Sequence, residues 1–264
     1  MKDINFDLSR IAQSFDEMAE TAIGDDADVY KCQLCRDCGY VIVEGRAYQC
    51  NCRRNRILQE RKAHIGLSPR LQRMNFSSFD LQCYPEDLFI GKSSYRQLAA
   101  LARDAALGFV RTQKNHNSPR GLLLEGEVGC GKTHLAAAIT NALIELEEDA
   151  LFLVVPEFLD QLRFSYRREN EGLDEAEIIR RAYRAQVLVL DDLGAHNYTD
   201  WVCNKLFTII NHRYNRNLPC IITTNLSFVD LESKLGDRTA SRLYEMCDHM
   251  MMAAGDLRLS NKRV

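Results

Sequence analysis

The sequence predicts an α/β fold in which a parallel sheet is flanked by helices, with a small cysteine-rich module and an amphipathic helix placed before it. Three observations predict it. Apolar runs at 122–124, 151–155, 187–190 and 220–223 read as buried strands, and the segments between them are long enough for crossover helices. A glycine-rich turn joins the first of these strands to a helix-forming run over 135–143. Five of the ten cysteines fall between Cys32 and Cys52, a density that in a reducing compartment points to a metal before disulfides.

The N-terminal helix is predicted from Ile4, Leu8, Ile11, Phe15 and Met18, whose spacings of three and four form one stripe ending before Gly24. Its setting is acidic, with eight acids in residues 1–30 against Lys2 and Arg10, so it reads either as a helix packed on its own protein or as a docking element for a partner. The segment 52–74 has the opposite bias: Arg53, Arg54, Arg56, Arg61, Lys62, Arg70 and Arg73 stand against Glu60 alone. The expected organisation is an N-terminal helical segment at 1–30, a cysteine module with a basic linker at 31–75, and the α/β domain at 76–264.

Net charge is −3, so the chain as a whole carries no nucleic-acid signature, and contact with DNA would come from a local patch or from assembled copies. No run approaches the roughly 18 apolar residues that cross a bilayer, and the N-terminus lacks a charged-then-apolar signal. A cytoplasmic protein with no membrane partner is expected.

Gly126, Glu127, Val128, Gly129, Cys130, Gly131, Lys132 and Thr133 satisfy the pattern G-x-x-x-x-G-K-[ST] between a strand and a helix. Glycines there let backbone N–H groups converge on phosphate oxygens, and the following helix N-terminus adds positive partial charge. Lys132 would neutralise the β- and γ-phosphates of ATP, and the Thr133 hydroxyl would ligate Mg²⁺. A metal-nucleotide site also needs a carboxylate on a neighbouring strand. The apolar run 187–190 ends in Asp191 and Asp192: Asp191 is the expected Mg²⁺ partner, and Asp192 would orient or deprotonate the attacking water. Asn225, at the polar tip of the strand over 220–223, could hold water against the γ-phosphate. Arg238 and Arg242, four apart on a helix, read either as surface salt-bridge partners or as a cation supplied to a transferring phosphoryl group.

Taken together, residues 126–133, the run from Leu188 through Asp191, Asp192 and Gly194, Trp201, the stretch 209–214, the run 223–226 and Ser241-Arg242-Leu243 resemble the AAA+ ATPases of the DnaC/DnaI helicase-loader group, to which the IstB transposase helpers are related. The resemblance covers about residues 70–264. It implies Walker A at Gly126 to Thr133, Walker B at Asp191 and Asp192, sensor I at Asn225, and an arginine finger acting in a neighbouring copy at Arg242, with Arg238 the second candidate. Many AAA+ motors end Walker B with Asp-Glu; the Asp-Asp found here is similar to the loader group and suggests slow, switch-like hydrolysis.

Cys32, Cys35, Cys38, Cys50 and Cys52 offer five thiolates where zinc takes four. Cys35 and Cys38 with Gly39 suggest a knuckle, and a hairpin over 41–48 would return Cys50 and Cys52 to the same Zn²⁺. The expected set is therefore Cys35, Cys38, Cys50 and Cys52, with Cys32 spare. This arrangement is similar to the zinc module of DnaI-like loaders, which IstB-type helpers generally lack. Cys83, Cys130, Cys203, Cys220 and Cys247 are expected to be buried structural thiols. The resemblance thus implies an ATPase that loads or regulates a replicative hexameric DNA helicase, binds single-stranded DNA and self-associates through a shared ATP site. The alternatives are a transposase-helper ATPase and a zinc-dependent nucleic-acid adaptor whose ATP site is structural.

Overall fold

The structure is a computed structural model describing residues 30–43, 45–53, 55–57, 65–114, 120–167, 175–195 and 198–257. The expected N-terminal helix at 4–18 lies outside the described residues, as do Arg54, Arg61 and Lys62 of the basic segment. By compactness the chain divides into Met1–Glu60 and Arg61–Val264. Residues 65–75, within the expected linker, belong to the larger unit: Asn141 Nδ2 donates to Leu71 O and Met74 O, at 2.9 and 2.7 Å.

Among the described residues the smaller unit holds an antiparallel hairpin, β1 (Tyr40–Val43) and β2 (Arg46–Gln49), with Tyr40 opposite Gln49. In the larger unit a short hairpin, β3 (Phe89–Ile90) and β4 (Ser93–Ser94), precedes helix α1 (Tyr95–Lys114). Then follow β5 (Gly121–Gly126), α2 (Lys132–Glu145), β6 (Ala150–Val154), α3 (Val155–Arg167) and α4 (Glu175–Arg184). The chain continues through β7 (Val187–Leu193), α5 (Asp200–Asn215), β8 (Cys220–Thr224), α6 (Phe228–Leu235), α7 (Asp237–Met246) and β9 (Cys247–Met252).

The five strands β6-β7-β8-β5-β9 form one parallel sheet, and its order places β5 and β7 on either side of β8. Alternate strand residues face opposite layers. Leu123, Leu188, Leu190 and Ile222 pack against α3, α4, α5, α6 and α7, whereas Leu124 packs with Ala99 and Ala102 of α1, Leu135 of α2, and Phe79 and Tyr84. The four expected strands are present. The fifth, β9, was not expected: its apolar residues Met250 to Met252 follow Asp248 and His249, which it exposes as an edge strand that among the described residues pairs only with β5.

A single cation ties the lower edge of the sheet together. Arg213 of α5 is wholly buried, and its five N–H groups are all used: Nη1 donates to Ala182 O (3.0 Å) and Ala185 O (2.8 Å), Nη2 to Gln186 O (3.0 Å) and Pro219 O (2.9 Å), and Nε to Cys220 Sγ (3.2 Å). Carbonyls at the end of α4 and at the entries to β7 and β8 thereby share one planar donor. Lysine has three donors in no fixed plane and cannot serve the same set. Arg213→Lys is expected to lower unfolding stability by about 3 kcal/mol, since each buried carbonyl left unpaired costs about 1–3 kcal/mol; urea unfolding of the two proteins measures this.

Candidate nucleotide and metal sites

Parallel strands present their C-terminal ends to ligands, and β5, β7 and β8 end side by side here. Beyond β5 the chain turns through Glu127, Val128, Gly129, Cys130 and Gly131 into α2. Gly129 has φ 83° and Gly131 φ 97°, a left-handed backbone that other residues adopt only under strain. A Cβ on Gly129 would also stand 2.2 Å from Asp256 Oδ1. The loop therefore curls tightly and opens onto the first amides of α2, an arrangement suited to anions. Val128 is exposed, whereas Cys130 is fully buried beside Leu135 and Tyr84 and serves as a small apolar filler.

Lys132 is folded over the loop, its Nζ donating to Gly126 O at 2.7 Å and Glu127 O at 2.6 Å. Thr133 Oγ1 donates to Asp191 Oδ1 at 3.0 Å. Asp191 is buried on β7 and accepts a second hydrogen bond from Thr223 Oγ1 at 2.7 Å, while the same Thr223 oxygen accepts from Asp192 N at 2.8 Å. Burial pushes the Asp191 carboxyl above its ordinary range; the hydrogen bonds from Thr223 and Thr133 and the charge of Lys132 oppose that, and neighbouring Asp192 adds to it. A cation at this carboxylate would be favoured by the same burial that penalises the bare charge.

The β7–β8 register slips between Leu190 and Leu193, and Asp192 takes φ 62°. This bulge makes Asp192 the exposed residue of a strand otherwise buried, so Asp191 and Asp192 diverge. Asn225 is exposed immediately beyond β8. The sequence-selected residues Lys132, Thr133, Asp191, Asp192 and Asn225 thus lie at the ends of neighbouring strands. Thr223 takes its role from the pairing of β7 with β8, which sets its hydroxyl beside Asp191.

The arginines of α7 part company. Arg238 is exposed. Arg242 is half-buried against its own α5, with its guanidinium carbon 5.0 Å from the Phe207 ring centre and 5.6 Å from that of Tyr214, and Nη1 donating to Arg238 O at 2.9 Å.

In the smaller unit the thiols brought together are Cys32, Cys35, Cys50 and Cys52, whose sulfurs all lie within 4.8 Å of one another. Cys32 Sγ is 3.7 Å from Cys50 Sγ, and Cys35 Sγ 3.2 Å from Cys52 Sγ. Four sulfurs about 2.3 Å from a tetrahedral zinc stand about 3.8 Å apart, so this set fits the ion. Cys38, expected as a ligand, is exposed and donates its thiol to Tyr40 O at 3.1 Å, and Cys32, expected as the spare, stands in the cluster. The cause is local. Asp37 accepts from Lys31 N (3.1 Å) and Cys32 N (3.0 Å), which folds Cys32 inward, while Gly39 N donates to Cys35 Sγ at 3.3 Å and closes the knuckle without Cys38. Burial raises the Cys35 thiol, but hydrogen bonds from Cys52 and Gly39 N–H more than offset it and bring it to about 7, while Cys52 is pushed up by its bond to Cys35. Among the remaining cysteines, Cys130, Cys220 and Cys247 are buried as expected, Cys203 is half-buried and Cys83 is exposed.

The parallel sheet and the loop-carboxylate site define an AAA+ type nucleotide-binding domain. The chain belongs to the family of IstB-like ATP binding proteins, whose model matches residues 69–263. It is similar to the replicative helicase loader DnaI of Bacillus subtilis, 29% identical over 160 residues that cover 58% of this chain, and it spans only 50% of that relative's length. It is also similar to the replicative helicase loader DnaC of Escherichia coli, 23% identical over 193 residues, 72% of each chain. A crystal structure of the DnaC helicase loader superposes with TM-score 0.55 at 28% identity, covering 70% of this chain and all of that one. Among the described residues no helix is long and apolar enough to cross a membrane.

Two outcomes are expected from this geometry. Zinc content, measured by elemental analysis, should stay near one per chain in Cys38→Ser and fall to background in Cys32→Ser. Thr223→Val should weaken Mg²⁺-dependent ATP binding on the order of tenfold, the usual scale for losing a residue that orients a metal-binding carboxylate, and a Mg²⁺ titration at fixed ATP measures it.

Proposed function

We propose that this protein is an ATP-dependent loader or regulator of a replicative DNA helicase. The observation that carries the reading is the Thr133–Asp191–Thr223 cluster beside the curled loop, in a chain that the IstB-like family model matches over residues 69–263 and that is similar to two replicative helicase loaders. In this reading the loop amides and Lys132 hold the phosphates, and Thr133 and Asp191 hold Mg²⁺. Bound Mg²⁺ supplies charge neutralisation on the phosphate oxygens. Asp192, set outward by the bulge, and Asn225 then position the attacking water. Hydrolysis is slow in a single copy and rises on assembly, when Arg238 or Arg242 of a second copy reaches the site. The cysteine module, folded around Zn²⁺, and the acidic N-terminal segment engage the helicase, and the assembled ATPase domains hold single-stranded DNA.

The family description favours a second reading, a transposase-helper ATPase with the same site. The four-cysteine module preceding the matched region supports the loader reading over it.

Reconstitution separates them. With the hexameric helicase of its host and closed circular single-stranded DNA, the protein should place the helicase on the circle, and Lys132→Ala should abolish ATP binding and this transfer. A protein that hydrolyses ATP yet neither associates with the helicase in sedimentation nor promotes its transfer to DNA would overturn the loader reading and leave the ATPase assignment standing.

A further inference from the structure

Tyr84 belongs to no motif and lies 46 positions before the loop residue it touches. It is 1% exposed, and its hydroxyl donates to Cys130 O at 2.8 Å. Its own placement is fixed from two sides. Arg96 of α1, ion-paired with Glu86, donates from Nε to Tyr84 O at 3.1 Å, and the Phe79 ring packs on the Tyr84 ring with centres 5.5 Å apart. A Cβ on Gly131 would stand 2.4 Å from the Tyr84 hydroxyl oxygen, so the glycine is needed here for space as well as for its left-handed φ.

The Cys130–Gly131 peptide is planar, so its carbonyl oxygen and the Gly131 N–H point in opposite directions. A peptide that precedes glycine is also the easiest to flip, because glycine tolerates both orientations. Anchoring Cys130 O on the tyrosine side turns the Gly131 N–H away from Tyr84, toward the concave side of the loop where backbone amides gather on phosphate. Burial raises the Tyr84 phenol well above its ordinary value, so it remains a proton donor throughout the working range. We infer that Tyr84 is a positioning residue for nucleotide binding: it locks the Cys130–Gly131 peptide so that the Gly131 amide is preset for a phosphate oxygen. This deepens the ATP-binding reading of the loop and rests on it.

The test is equilibrium binding of labelled ATP and ADP to full-length protein, together with steady-state hydrolysis and thermal unfolding without nucleotide. Tyr84→Phe keeps the ring that packs on Phe79 and removes only the hydroxyl. It should weaken ATP and ADP binding alike, on the order of tenfold, as expected for one buried hydrogen bond whose acceptor is left unpaired. The loss should fall on KM more than on kcat, because a preset amide serves ground state and transition state together. Replacing Tyr84 with p-aminophenylalanine, which restores an N–H donor on the same ring, should recover affinity to within about threefold of the parent. Unchanged affinity in Tyr84→Phe, with or without a lower unfolding temperature, would overturn the inference and assign the residue to packing alone. If Tyr84→Phe does not fold, the aminophenylalanine protein decides by itself: near-parental affinity supports the donor role, and lost affinity in a folded protein overturns it. Failure of the parent to bind ATP would instead strike the reading on which the inference rests.

Discussion

A buried carboxylate that receives two threonine hydroxyls holds the candidate nucleotide site in register. Asp191 stands on β7, Thr133 in the first turn of α2 and Thr223 near the end of β8, so one oxygen, Asp191 Oδ1, joins three elements that are far apart in sequence. Burying a carboxylate costs free energy unless its oxygens are bonded, and the two hydroxyls reduce that cost without adding a positive charge that would neutralise it. The group is left above its ordinary pKa range by burial, in a setting where an arriving cation lowers its energy more than it would on the surface. The Thr223 oxygen also receives Asp192 N, so the hydroxyl that steadies the first acid helps form the bulge that turns out the second.

The parts of this site that were legible in the sequence are those whose chemistry is contained in a contiguous run. The loop at 126–133 announces itself because its glycines, lysine and threonine act through neighbouring backbone, and the apolar strand ending in Asp191 and Asp192 does so because burial on both faces leaves an unbroken apolar run. What escaped reading depends on pairing across the fold. Thr223 acquires its role only from the β7–β8 register, and Tyr84 only from how residues 76–84 cross beneath the loop. The candidate zinc ligands show the same limit at shorter range. Spacing picks out five thiols, but the choice between Cys32 and Cys38 is made by Asp37, an acid within the knuckle whose two backbone hydrogen bonds fold Cys32 inward. Edge strand β9 was hidden for a different reason: a strand paired on one side can expose polar residues, and Cys247–Met252 does so at Asp248 and His249.

Arg213 and Lys132 show how the same fold uses buried cations at its two edges. At the lower edge Arg213 meets only neutral acceptors, four carbonyls and a sulfur, and its planar fork suits acceptors that are themselves fixed. At the upper edge Lys132 also rests on carbonyls, those of Gly126 and Glu127, but through a single flexible ammonium. A rigid five-donor group suits a permanent joint. A mobile point charge can exchange two neutral acceptors for phosphate oxygens of opposite charge, which bind it more strongly.

The two arginines of α7 differ in what it would take to serve a neighbouring copy. Arg242 lies over the Phe207 and Tyr214 rings and is bonded to Arg238 O, so reaching a second site means giving up contacts worth about 1 kcal/mol or more between them. Its Nε is buried without a hydrogen-bond partner among the described residues, a cost that would be relieved if the side chain swung out. Arg238 is already exposed and needs no such change. A finger at Arg238 would thus be available in every copy, whereas one at Arg242 would be withheld until a neighbour supplied phosphate or carboxylate charge sufficient to draw it from its aromatic seat. The second arrangement would couple hydrolysis to assembly through the side chain itself, and under the proposed reading it would slow a lone copy more directly than the shortened second acid at Asp192 would.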